Sequence, residues 1–220
     1  MSKKAKFILI MASSWIFCMC LAISITWSCV YLNTMKKIGI SSKSFFATNV
    51  KVDYIKDFEN KYESFIDDEK AEYIVKLSND FNVDSDLVIS ILEKENPTLV
   101  TDATSKLNQN GTRDLGLFQL NDKSLYIKDG FIELWWKPEF GEFNADNWKH
   151  NTYIAVKYIQ DLAKTFGPNN IYYIAAGYNA GIPRAYKAYI NNDKLSLPTS
   201  TVDNYAPTVE NNYKKWKALL

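Results

Sequence analysis

The sequence predicts a mainly α-helical protein with one small β-hairpin, preceded by an N-terminal transmembrane helix. Three observations carry this expectation. Beyond residue 52, apolar side chains recur at helical spacing in most segments. A single strong hairpin signal, Asn110-Gly111, interrupts them. The run from Phe7 to Leu32 contains no charged residue.

That run exceeds the ~20 residues a helix needs to cross a bilayer, and Lys3, Lys4 and Lys6 precede it. No Ala-x-Ala cleavage pattern follows, and Thr26-Trp27-Ser28 before Cys29 is a poor lipoprotein signal. Residues 1–32 therefore read as an uncleaved membrane anchor or signal segment, with the bulk of the chain outside the cytoplasm. Lys36, Lys37 and Lys43 on the far side weaken the charge asymmetry that would set orientation. Residues 33–52 are polar and Ser-rich and read as a tether, leaving 53–220 for the globular part.

Composition narrows the function. The 220 residues carry a net charge of +1 with 23% charged side chains, a balance that argues against a nucleic-acid partner. Cys18, Cys20 and Cys29 all lie in the N-terminal run, so the rest of the chain has no thiol for a disulfide or a metal site. His150 is the one histidine, and a zinc site or a Ser-His-Asp triad would have to depend on it alone. It reads as structural, with no metal or cofactor expected.

Val52 to Ile66 mixes charges with Tyr54, Ile55, Phe58, Tyr62 and Phe65 as an amphipathic helix would. Asp67 or Asp68 can cap a second helix, whose inner face is Ala71, Ile74, Val75, Leu77 and Phe81. After Asn82-Val83, Asp84 caps a third. Its positions Val88, Ile91, Leu92 and Glu95 share one face; Asp86, Ser90 and Glu93 are expected on a wetter one. Asn96 precedes Pro97, which disfavours helical geometry and ends the helix beside Glu95. A carboxyl closing an apolar face is a candidate for a raised pKa and for general-acid work. The competing reading is a helix-end glutamate turned to solvent.

The Asn-Gly signal predicts a hairpin over about 104–115, with Asp114 on the returning strand. Asn110-Gly111-Thr112 is also a glycosylation sequon, read here as a turn. Residues 122–148 are aromatic and irregular, and Trp135-Trp136 either edge a groove or are buried. Helical spacing returns from Asn151 through Ile154, Tyr158, Ile159, Leu162 and Phe166 to Gly167-Pro168. Further helices are expected over about 170–179, after Pro183, and from about 202 with Tyr205, Val209, Tyr213 and Trp216.

Three separated pieces, in order, resemble one family. They are the helix ending at Glu95, Asp114-Leu115-Gly116-Leu117-Phe118-Gln119-Leu120-Asn121, and Ala175-Ala176-Gly177-Tyr178-Asn179-Ala180-Gly181. They are similar to the Glu-Ser, Gly-Leu-Met-Gln and Ala-Tyr-Asn-Ala-Gly motifs of lytic transglycosylases in the lysozyme-like superfamily. Asn151, Ala155 and Tyr158 resemble the family's Asn-x-x-x-Gly-x-x-Tyr helix, and Tyr205 a tyrosine near the end of its domain. The likeness covers about residues 68–216. It departs at Asn96 for serine, Phe118 for methionine, Gly177 for alanine and Val202 for threonine.

The resemblance implies a lysozyme-like domain acting on peptidoglycan glycan strands, with Glu95 as acid and then base and a 1,6-anhydro-muramyl product. It implies substrate contacts at Asn96, Gly116, Gln119, Tyr178, Asn179 and Tyr205. Asp114 matches an aspartate of animal-type lysozymes, so a hydrolytic muramidase using Glu95 and Asp114 stays open. So does a non-catalytic peptidoglycan-binding module. The expected setting is the bacterial cell envelope, anchored to the membrane through the N-terminal helix. Whether cell-wall or secretion machinery is a partner is left open.

Overall fold

Acidic caps begin the first two helices, and apolar burial decides where they lie. The computed structural model describes residues 61–137 and 140–219, all within the compact unit Ile55–Leu220. The anchor and tether predicted over 1–52, and most of the helix predicted over Val52–Ile66, lie outside the described residues. Among the described residues no helix is long and apolar enough to cross a membrane.

Asp67 accepts a hydrogen bond from the Lys70 amide and starts α1, Asp68–Phe81; Asn82 ends it in the left-handed region at φ 54°. Asp84 accepts from the Asp86 amide and starts α2, Ser85–Glu95. Leu87, Val88, Ile89, Ile91 and Leu92 are each at most 1% exposed. Burying each such side chain stabilises the fold by about 1.5–3 kcal/mol, so α2 is the central helix.

The face of α2 expected to be wet is buried. Asp86 and Ser90 are 1% and 0% exposed. The Asp86 carboxylate pairs with Lys61 at 2.7 Å and Lys217 at 3.2 Å, and accepts from the Tyr62 hydroxyl at 2.5 Å. Ser90 donates to the Asp86 carbonyl. Glu93 accepts from the Trp216 indole at 2.9 Å and pairs with Lys215 at 3.1 Å. Polar residues sit on both faces of this helix because chain from either end of the domain brings partners to them.

The expected hairpin arms pair across Asn110-Gly111, and a second turn adds a further strand. Asn110-Gly111 does turn the chain: Gly111 has φ 79° and its amide donates to the Asn108 carbonyl. The side chain of Asn110 accepts from the amide and hydroxyl of Thr112. The arm before it meets the returning strand in a bridge, Thr104 to Leu115, with the Ser105 amide donating to the Asp114 carbonyl and the Gly116 amide to the Ala103 carbonyl. A further ladder, beyond the expected arms, joins β1, Asp114–Leu115, to β2, Leu120–Asn121, antiparallel, with Asp114 opposite Asn121. Gly116 at φ 73° and Gln119 at φ 49° make that turn, closed by the Gln119 amide on the Gly116 carbonyl.

Gly116 is required on two counts. Its positive φ favours glycine, and a Cβ there would sit 2.3 Å from the Ala145 carbonyl oxygen and 2.3 Å from the Asn151 amide nitrogen. Gly116→Ala is expected to cost roughly 2–4 kcal/mol through strain and overlap, read as a lowered urea midpoint at unchanged m-value.

The irregular segment contains two short helices, α3, Asp122–Tyr126, and α4, Phe131–Trp135. The long α5, Trp148–Phe166, is capped by Asn147 and buries Asn151, Ile154, Tyr158, Ile159, Leu162 and Phe166. Then come α6, Ile171–Ala180, α7, Ile182–Ile190, and a 3-10 turn, Lys194–Ser196. A π-helical turn, Thr201–Tyr205, leads into α8, Ala206–Lys217. α8 packs along α2 and α6. The described residues form a helical body with a two-stranded sheet, which fits a lysozyme-like arrangement.

Gly177 lets α6 approach α5 closely, since a Cβ there would lie 2.5 Å from Leu162 and 2.9 Å from Phe166. That contact gives a reason for glycine where the resemblance would place alanine. Phe118, in place of methionine, is fully buried in the core.

Candidate active site

A cleft of about 720 Å³ opens where the end of α2, the hairpin, the α6–α7 junction and the 198–201 segment meet. Glu95, Asp114, Gln119, Tyr178 and Asn179 line it together. Residues from four separate stretches of sequence thus share one concavity.

Glu95 arrives by helix geometry: the apolar face of α2 ends at its Cα, and Asn96 leaves the helix at φ −146° and ψ 72°. Its Oε1 accepts from the Tyr205 hydroxyl at 2.5 Å. Burial raises the Glu95 pKa from the usual 4.5 to about 7. The Tyr205 hydrogen bond pulls it down, the Asp114 charge pushes it up, and Lys94 pulls it down again. Near neutral pH this carboxyl exists in both forms, the condition for donating a proton and then recovering one. Tyr205 is held well above the ordinary tyrosine range, first by burial and then by the Glu95 charge. It therefore remains a neutral donor.

These opposed influences give a signed prediction. Tyr205→Phe removes a hydrogen bond to the charged form, so the alkaline limb of the pH–rate profile moves to higher pH. Asp114→Asn removes a like charge, so the same limb moves to lower pH. Rates on purified cell-wall sacculi between pH 5 and 9 check both directions.

Asp114 stands on β1 with its carboxylate held at both oxygens, by Asn121 Nδ2 at 2.9 Å and Asn108 Nδ2 at 3.1 Å. Gln119 lines the cleft, but its amide nitrogen donates to the Gly116 carbonyl at 2.8 Å and the Ala103 carbonyl at 3.2 Å. Its carbonyl oxygen is the group left to meet a ligand. Tyr178 presents its ring, while its hydroxyl donates to the Phe118 carbonyl at 2.9 Å. Asn179 is exposed in the cleft and accepts from Thr201 at 2.6 Å.

Asn96 and Gly116 lie outside the cleft lining. Asn96 is 5% exposed; its Nδ2 donates to the Val100 and Leu117 carbonyls and its Oδ1 accepts from the Val100 amide. It ties the end of α2 to the hairpin and so supports Glu95 from behind. Gly116 serves the turn and the approach to α5.

Other residues of the site carry little local signal. Asn121, Asn108 and Arg184 line the cleft without belonging to the three motifs' expected contacts. Asn151, fully buried, accepts from the Phe118 amide at 2.7 Å and donates to the Leu115 carbonyl at 2.9 Å, pinning the hairpin to α5. Trp135 stacks on Phe131 at 4.6 Å and Tyr158 at 6.1 Å, both lining residues, and so backs the groove wall. Trp136 packs on His150 at 4.5 Å, away from the cleft. His150 accepts from the Asn144 amide, and partial burial lowers its pKa. Among the described residues no group of three or more His, Cys, Asp or Glu side chains converges to hold a metal ion.

The family model described as the transglycosylase SLT domain matches residues 72–196, more than half of the chain. Glu95, the hairpin and the α6–α7 junction fall inside that span, and Tyr205 lies beyond it. No curated protein matches the sequence.

Proposed function

The chain belongs to the transglycosylase SLT-domain family, and on that premise we propose that it is a lytic transglycosylase cutting the β-1,4 bond from N-acetylmuramic acid to N-acetylglucosamine. The observation that carries this reading is Glu95, a carboxyl on the cleft wall with its pKa raised to about 7 and its position held by Tyr205.

Protonated Glu95 gives its proton to the bridging oxygen as the muramyl C1–O bond breaks, and N-acetylglucosamine leaves with a hydroxyl. The resulting carboxylate takes the proton of the muramyl C6 hydroxyl, whose oxygen bonds to C1. The product is a 1,6-anhydro sugar, no water is consumed, and Glu95 ends protonated as it began. One group serves both transfers because each leaves it ready for the reverse. Asp114, across the same cleft, stabilises positive charge developing at C1. Gln119, Tyr178 and Asn179 orient the sugars.

A hydrolytic muramidase is the second reading, favoured by one observation: Asp114 lines the same cleft as Glu95. We place the catalytic unit outside the cytoplasm, where peptidoglycan lies, with residues 1–32 as its membrane anchor. The uncharged run from Phe7 to Leu32 supports that placement. Incubation with purified sacculi tests the assignment: soluble muropeptides are expected, and the rate falls as pH rises through about 7 because the acid form of Glu95 is lost. Binding without release of any fragment would instead mark a peptidoglycan-binding module.

A further inference from the structure

The cleft holds one charged group that the proton transfers do not use. Arg184, in the first turn of α7, is one of the residues that line the cleft. It is exposed, and among the described residues it makes no ion pair or side-chain hydrogen bond. It is the sole cation among the described lining residues, whose other charges are the carboxylates Glu95 and Asp114. Neither of those pairs with it.

An arginine fork matches a carboxylate with two parallel charge-assisted N–H bonds, stronger than those it makes to neutral hydroxyls. Because Arg184 has no partner to give up, engaging a ligand anion breaks no existing contact. The proposed substrate supplies such anions: each muramyl unit carries a lactyl carboxyl, either free or amide-linked to a peptide that itself ends in a carboxylate. Glu95 and Asp114, when ionised, repel those groups, so the cation sets which end of the cleft they occupy.

We propose that Arg184 is a specificity-determining residue that binds a carboxylate of the muramyl substituent, placing the muramyl unit on the α7 side of the cleft. The inference rests on the peptidoglycan reading given above. Its chemistry allows two sources, the lactyl carboxylate itself or a peptide carboxylate.

The test uses the full chain in two backgrounds. Affinity is measured with Glu95→Gln protein by calorimetry, and cleavage with active protein, each with and without Arg184→Gln. Three soluble glycan preparations are compared: peptide-bearing strands, strands stripped by an amidase to a free lactyl carboxylate, and stripped strands with that carboxylate converted to an amide. Arg184→Gln is expected to weaken binding and raise KM about tenfold on strands bearing the recognised carboxylate. On strands lacking it the loss is twofold or less. An effect that appears only on stripped strands and is abolished by amidation assigns the lactyl carboxylate; an effect on peptide-bearing strands that is abolished by stripping assigns a peptide carboxylate. An equal loss on all three preparations, or no loss on any, overturns the proposal. Absence of cleavage by the active protein on every strand would overturn the enzymatic reading instead, while the binding comparison still decides the role of Arg184.

Discussion

Glu95→Gln is expected to lower the rate of muropeptide release by about 10²–10⁴-fold, the usual contribution of a positioned general acid–base, while leaving the fold intact. The amide keeps the shape of the side chain and still offers an oxygen to the Tyr205 hydroxyl, so lost activity reports lost proton transfer. The same substitution carries a stability signature of definite sign. Glu95 binds its proton more tightly folded than unfolded, because burial raises its pKa from 4.5 to about 7. The stability this protonation contributes is fully present below pH 4.5 and is lost as pH rises through about 7. That shift corresponds to roughly 3 kcal/mol. Glutamine cannot ionise, so the variant should gain on the parent between pH 5 and 8 in urea unfolding. A gap that stays constant with pH would place Glu95 in solvent.

Asp86→Ala is expected to cost about 3–5 kcal/mol, the loss typical of removing one member of a buried ion pair. Lys61 and Asp86 are each 2% exposed at the side chain and 2.7 Å apart. Tyr62 gives its hydroxyl to the same carboxylate, and Lys217 reaches it from α8. Asp86 therefore fastens the segment before α1 and the last helix to the start of α2. Against a typical total of ~5–15 kcal/mol, that is a large fraction of the stability. Replacing both partners by apolar groups, Lys61→Met with Asp86→Leu, should recover part of the loss, since neither charge is then left without the other. Urea unfolding of the single and double variants measures it; equal stability of the single variant and the parent would show that the pair is dispensable.

The parts legible in the sequence were those set by local chemistry. Asp67 and Asp84 cap helices because a side-chain oxygen meets an amide two or three residues on. Glu95 stands where it does because a 3.6-residue repeat runs into Asn96-Pro97. What pairing across the fold decides was not legible. Periodicity placed Asp86 and Ser90 toward water, since nothing nearby announces that Lys61, Tyr62 and Lys217 will arrive there. The Asn-Gly turn formed and its arms pair, yet the second strand pairing, Asp114–Leu115 with Leu120–Asn121 around Gly116, had no comparable local signal. Tyr205 meets Glu95 from 110 residues away; family likeness pointed to the tyrosine, and only the fold supplied the contact. Arg184 carries no local signal, for its significance lies in having no partner within a cleft.

The most direct measurement is the mass of the products released from purified sacculi. Transfer to the muramyl C6 oxygen, with Glu95 acting as acid and then base, predicts muropeptides ending in 1,6-anhydro sugars. Each is lighter by one water than its reducing-end counterpart. Products that carry the added water, with ¹⁸O incorporated from labelled solvent, would contradict the transglycosylase mechanism and make Asp114 a partner in hydrolysis.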